Sequence, residues 1–219
     1  MDIKKEIRDL KEKGWKLVEE GHYLEAIEMC DRARQMAEQH LEVTDEVRLS
    51  VLHNLGETYR LNGEYTKAQA ILENVLSVMR KHPETHNLLL PNTLFSLGHC
   101  YFYQSKYVDA TSLLEECLLI RQKHLPANDV EVAKTMKMLG DCFMKQKKLS
   151  EAERLLRHSL EIIKSAHTKD HPDLASVQFS LANCLDLQGE VSESIKLMTD
   201  CVRMYKSSLH HEHPDVASG

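Results

Sequence analysis

Aromatic side chains are scarce in this 219-residue chain, which has one Trp, four Phe and seven Tyr. With nine Met, that composition is typical of helical packing. A run of 18 apolar residues is also missing, and Met1 to Lys13 is charged throughout. The sequence therefore predicts neither a membrane span nor a signal peptide, and an intracellular, cytoplasmic location. Basic excess is lacking: 28 Lys and Arg stand against 34 Asp and Glu, a net charge of −6. This argues against a nucleic-acid backbone as the main partner, because such binding rests on neutralising phosphates. No paired Cys-x-x-Cys occurs among the six cysteines, so neither a disulfide framework nor a zinc site is expected. A phosphate-cradling glycine loop, a nucleophile with a spaced base and a metal-ligand cluster are likewise missing. Catalysis, cofactors and metals are not expected.

What the chain does have is a strict period. Gly14, Gly56, Gly98, Gly140 and Ala182 stand at intervals of 42 residues. Ala26, Ala68, Ala110, Ala152 and Ser194 follow twelve later in each interval, and Tyr23, Tyr65, Tyr107, Leu149 and Val191 nine later. Units that recur at such a period cannot bury their apolar faces alone and must stack on their neighbours. The cysteines obey the same period, with Cys100, Cys142 and Cys184 in one position and Cys117 and Cys201 in another. They are expected to be small core residues.

Leu52, Leu55 and Tyr59 around Gly56, and Leu94, Leu97 and Tyr101 around Gly98, have the spacing of a helix face. Polar residues or breakers follow at Asn62-Gly63-Glu64, Gln104-Ser105-Lys106 and Gln188-Gly189-Glu190. Beyond them Ala68, Leu72, Val75, Leu76 and Met79 recur as Ala110, Leu114, Cys117, Leu118 and Arg121, and as Ala152, Leu156, Ser159, Leu160 and Ile163. Each unit reads as a helical hairpin, its small residues letting the two axes approach. His171-Pro172-Asp173 recurs as His213-Pro214-Asp215 and reads as a helix start. Asp45, Asn87 and Asp129 hold the position of His171 and can cap a helix directly.

Leu55-Gly56, Tyr59, Gly63, Tyr65 and Ala68 resemble the tetratricopeptide repeat (TPR). The long unit, with Ile120 to Leu125 leading into the next and His-Pro-Asp at the junction, is similar to the repeats of kinesin light chains and nephrocystin-type scaffolds. The resemblance implies an all-α fold, a right-handed superhelical solenoid of five helix-turn-helix (TPR) repeats. The array spans 1–208, in units of about 2–42, 43–84, 85–126, 127–168 and 169–208, and 209–219 reads as the truncated start of a sixth repeat. Lys13, Arg34 and Gln178 stand where apolar residues are expected. On the last helix Leu197, Met198, Cys201 and Tyr205 are expected to be partly exposed for want of a further hairpin.

In this family the first helices line a concave groove that holds a peptide. Helical spacing from the register positions assigns to it Asn92, Phe95, His99, Phe102 and Tyr103 in the third unit. The fourth contributes Lys134, Lys137, Asp141, Met144 and Lys145, and the fifth Ser176, Phe179, Asn183, Asp186 and Leu187. Aromatics flanked by lysines suit a protein or peptide ligand with apolar anchors and acidic residues. The same aromatics also fit packing between neighbouring first helices, and the lysines a solvated face. The carboxylate-holding pattern of chaperone-adaptor repeats matches only at Lys11 and Asn54, which disfavours chaperone tails as ligands. The resulting expectation is a non-catalytic adaptor. The alternative is an intramolecular scaffold or sensor segment that packs against flanking domains of a longer chain.

Overall fold

A computed structural model describes residues 2–83, 89–167 and 171–212, with side chains as far as Met204. The described residues form ten α-helices and no strand. They are α1 (Ile3–Glu19), α2 (Tyr23–His40), α3 (Glu46–Leu61), α4 (Tyr65–Lys81), α5 (Leu90–Tyr103), α6 (Tyr107–His124), α7 (Val130–Lys145), α8 (Leu149–Ala166), α9 (Pro172–Gln188) and α10 (Val191–Glu212). They follow one another as five hairpins, and the repeat read from the sequence is the repeat of the fold. The chain divides into two compact units, 1–117 and 118–219, with the boundary inside α6. In the first, α1 touches α2 and α3, and α3 in turn touches α4 and α5. Its core is built on Ile7, Ala33, Ala37 and Val51, and on Leu49, Leu52, Val75 and Met79. In the second, α7 packs on α8 and α9, and α9 on α10, burying Val132, Met136, Leu156, Ile163, Leu181 and Leu185.

The small register residues are explained by distance. A Cβ on Gly98 would stand 2.8 Å from Leu114 Cγ, and one on Gly56 or Gly140 would meet Leu72 or Leu156 at the same 2.8 Å. Sixteen residues after the glycine, a leucine therefore fills the space that a side chain would need. A second periodic contact joins the helices within a hairpin. Cys117 Sγ donates to Pro91 O (3.2 Å), Ser159 Oγ to Ala133 O (2.7 Å) and Cys201 Sγ to Ala175 O (3.4 Å). Thiol and hydroxyl thus exchange at one position because each is a small donor. All six cysteines are buried, the five periodic ones as their period predicts.

Every hairpin turns through a residue with positive φ: Gly21, Gly63, Ser105, Lys147 and Gly189. At Ser105 and Lys147 a side chain sits in the left-handed region that glycine adopts more cheaply. The helix starts are capped as the sequence suggests. Asp45 accepts from the Val47 amide (2.9 Å), Asp129 from Glu131 (2.8 Å), and His171 Nδ1 accepts from Asp173 (3.1 Å). Asn87 and His213 to Gly219 lie outside the described residues, as does the side chain of Tyr205. Arg121, in the apolar series of the second helices, is 3% exposed. Its guanidinium donates to Glu131 O (2.9 Å) and Thr135 Oγ1 (2.8 Å) and pairs with the Glu131 carboxylate (2.8 Å). That satisfies the buried charge and ties the end of α6 to the start of α7.

The outer face of α10 requires a correction. Leu197 and Cys201 are buried, together with Met204, whereas Met198 is half-buried as expected; among the described side chains of the helix, Val191, Ile195 and Val202 are the exposed large apolar ones. The Cys201 bond to Ala175 shows why: that stripe turns inward onto α9, leaving the adjacent stripe bare.

Candidate peptide-binding faces

In the first unit α1, α3 and α5 lie side by side, and their shared face carries the third-unit residues singled out from the sequence. Tyr103, at the end of α5, is 55% exposed. Its ring stacks on Tyr65, the first residue of α4, at 4.7 Å and 6°. Phe102 meets it edge-on at 5.5 Å, His99 lies 6.2 Å away, and Phe95 sits 4.8 Å from His99. Asn92 is exposed at the other end of the helix, while Phe95, His99 and Phe102 are half-buried. Aromatic pairs in such offset and edge geometries gain stability beyond their buried area, which fixes Tyr103 in place.

Beneath this cluster lies an ion pair that periodicity did not reveal. Arg60 holds Glu57 through two nitrogens, at 2.9 and 2.6 Å, and reaches His99 Nδ1 at 3.5 Å. Burial alone would raise the Glu57 carboxyl. The bonds and charge of Arg60, with a hydrogen bond from Ser96, outweigh it and hold the pKa down at about 2. Neighbouring His53 is buried against Thr93 Oγ1 at 3.2 Å, and burial pushes its pKa down. The 3-residue spacing of Glu57 and Arg60 was a legible sign of the pair; its partial burial was not. Further along the face Lys11, Trp15 and Asn54 border an open depression of about 490 Å³, with Lys11 Nζ 3.4 Å from Ser50 Oγ.

The second unit carries the remaining candidates on α7 and α9. Lys137 pairs with Asp141 at 2.9 Å, and Asp141 is buried. Lys134 lies 3.4 Å from Glu131 and 3.5 Å from Asp173. Both lysines therefore already face carboxylates within the fold. Lys145, exposed, has no ion pair among the described residues. Phe179 is 46% exposed and Leu187 52%, with half-buried Asn183 between them on the same face of α9. Of the other positions, Met144 is buried, Ser176 half-buried and Asp186 exposed.

Comparison with known proteins follows the same repeat. The tetratricopeptide-repeat family model matches residues 47–123 and 131–207. The chain belongs to the tetratricopeptide-repeat family. Repeats of this family generally mediate protein–protein interaction, and their scaffolds are typically non-catalytic. Among solved structures, the chain is similar to the nearly identical TPR-like repeats of a putative kinesin light chain from Podosopora anserina. Identity is 21%, with 95% of this chain and 99% of that one covered and a TM-score of 0.76. It is also similar to BtubC (BKLC) from P. vanneervenii, at 15% identity, 97% and 84% coverage and a TM-score of 0.77. The apo form of RapI is similar at 14% identity, with 90% and 53% covered and a TM-score of 0.67. These likenesses concern the fold. Curated proteins gave no match. Among the described residues, no helix is long and apolar enough to cross a membrane.

Proposed function

We propose that this TPR array is a non-catalytic adaptor that holds a peptide segment of a protein partner on its first-helix faces. The observation that carries the reading is Tyr103, a large ring left 55% exposed yet held rigid by stacking on Tyr65. A pre-organised aromatic platform gains contact area at little entropic cost on binding, and such residues dominate interface energetics. Phe179 and Leu187 offer a comparable apolar pair, with the Asn183 amide between them to bond a peptide backbone. Acidic ligand residues are assigned to Lys145, since Lys134 and Lys137 already face carboxylates. The net charge of −6 disfavours nucleic acid. The six free cysteines suit the reducing cytoplasm.

The test is selection of a random displayed-peptide library on the chain, followed by anisotropy with Tyr103→Ala and Phe179→Ala. Selected peptides are expected to combine aromatic with acidic residues and to lose about tenfold or more in affinity with either variant. Undiminished affinity in both correctly folded variants refutes the placement. Exposed Val191, Ile195 and Val202 on α10 favour a second reading, a segment that packs against another part of a larger protein. That reading expects dye binding to exposed apolar surface to fall in Ile195→Lys, Val202→Lys with peptide binding unchanged; equal dye binding counts against it.

A further inference from the structure

The junction between α8 and α9 gathers two imidazoles and a carboxylate that the peptide-binding reading leaves unused. His167 is the residue after α8, its backbone amide bonded to Ile163 O at 3.1 Å. His171 caps α9, and Asp173 lies in the first turn of that helix. Asp173 Oδ2 stands 3.6 Å from His167 Nε2 and 3.8 Å from His171 Nδ1. One ligand atom from each residue lies within 4.8 Å of the other two. The imidazole rings lie face to face, 3.5 Å between centroids and 5° from parallel.

A second observation points the same way. His167 Nε2 is buried and has no hydrogen-bond partner among the described residues, 3.6 Å being too long for a bond to Asp173. A buried ring nitrogen without a partner is costly, and here it faces a carboxylate beside a second imidazole. We propose that His167, His171 and Asp173 form a site for a divalent transition-metal ion of the zinc class.

The dimensions and the chemistry fit. Zinc bonds to imidazole nitrogen and carboxylate oxygen are about 2.0–2.2 Å, so donors around a tetrahedral ion stand about 3.4 Å apart. The separations of 3.6 and 3.8 Å are already close to that spacing, and what must change is the orientation of the rings. Binding turns the His167 ring out of the stack so that its Nε2 lone pair meets the ion, and His171 Nδ1 exchanges the Asp173 amide for it. Two neutral imidazoles and one carboxylate are the donor set that suits zinc and its neighbours in the first transition row, and not calcium or magnesium. Three protein donors leave the fourth position of a tetrahedral ion to water. Lys134 is the natural competitor, its ammonium 3.5 Å from the same Asp173 oxygen. The ion replaces that ammonium as counter-charge and ties the end of α8 to the start of α9.

Titration calorimetry with Zn²⁺ tests the site on the full chain in a His210→Ala, His211→Ala, His213→Ala background, which removes the histidine-rich tail as a rival. One equivalent is expected to bind and to raise the melting temperature. His167→Ala is expected to abolish both effects while leaving the helical spectrum unchanged; removing the ring stacked on His171 resets the metal-free melt, so the Zn²⁺-induced rise is read against the variant's own metal-free value. Lys134→Gln is expected to tighten Zn²⁺ about tenfold, because one competing positive charge a few ångström away is removed. No binding in the background chain, or binding that persists undiminished in His167→Ala, overturns the proposal. So does an affinity that Lys134→Gln leaves unchanged, which marks the ion as adventitious.

Discussion

Replacing Gly98 by alanine puts one methyl group where the hairpin has no room. The added Cβ stands 2.8 Å from Leu114 Cγ and 3.0 Å from its Cδ2, and Leu114 is fully buried. Carbon atoms in comfortable contact are about 3.5–4.0 Å apart, so roughly 0.7 Å or more must be found by moving a side chain or a helix axis. Overpacking of this kind costs about 1–3 kcal/mol, and the better helix propensity of alanine returns about 1 kcal/mol. The net effect is a destabilisation of about 1 kcal/mol. The fifth hairpin indicates the remedy. Its register residue is Ala182, and Met198, sixteen residues on, takes the place of the leucine. Methionine is unbranched at the position where Leu114 Cγ clashes, so it can bend away from an added methyl. Leu114→Met alone is expected to cost under about 1.5 kcal/mol, and the pair Gly98→Ala, Leu114→Met to couple favourably by about 1–2 kcal/mol. Urea denaturation of the four proteins, followed by circular dichroism, closes the cycle. A coupling below about 0.3 kcal/mol refutes the steric account. So does a Gly98→Ala protein stabilised by the full propensity gain.

Three further outcomes are expected. Lys147→Gly relieves a left-handed residue at φ 65° and is expected to stabilise by about 0.5–1 kcal/mol, about 2 °C of melting temperature; an unchanged or lowered melt contradicts it. Glu57 titrates near 2 in the fold against an ordinary 4.5. Its contribution, up to about 3 kcal/mol, is present above pH 4.5 and lost as pH falls toward 2. Neutral His53, its pKa depressed by burial, adds a loss in the same direction as pH falls from its ordinary 6.5 through its lowered value. Denaturation series between pH 7 and 3 should show this decline, flattened at the acid end in Glu57→Gln; parallel curves would count against the pair. Gln178 is 5% exposed and its Oε1 has no partner among the described residues. Gln178→Met, matching Met136 one period earlier, is expected to raise stability by about 1–2 kcal/mol, and a loss in urea midpoint would show that its buried oxygen is satisfied.

Most of the fold was legible because each hairpin repeats the same steric requirement. Gly56, Gly98 and Gly140 could be read directly as points of close approach, and the breakers around Gly63, Ser105 and Gly189 as turns; the left-handed backbone at Ser105 and Lys147 is visible only in the structure. The candidate faces were legible only as stripes. Helical spacing placed Tyr103 and Phe179 on the exposed side, but Lys134 and Lys137 are occupied by carboxylates. The partner of Lys134, Asp173, sits on another helix. Tyr65 beneath Tyr103 and the partial burial of the Glu57–Arg60 pair also depend on how helices lie against each other, and no period in a single chain encodes that. On α10 the error was one of rotation, because two adjacent apolar stripes compete for the same neighbour and only packing decides between them.

The contacts that hold each hairpin, from register glycine to leucine and from the Cys or Ser donor to a carbonyl 26 residues earlier, sit at fixed chain separations. Inserting or deleting one residue in any helix swings everything beyond it by about 100° around the helix axis, so these contacts all fail together. Small length changes are expected only at the junctions between hairpins, which these contacts do not span. Duplication or loss of a whole 42-residue block, by contrast, leaves each remaining contact with its partner. An array of this kind lengthens or shortens in whole steps, and its history should be recorded in the number of its repeats rather than in their size.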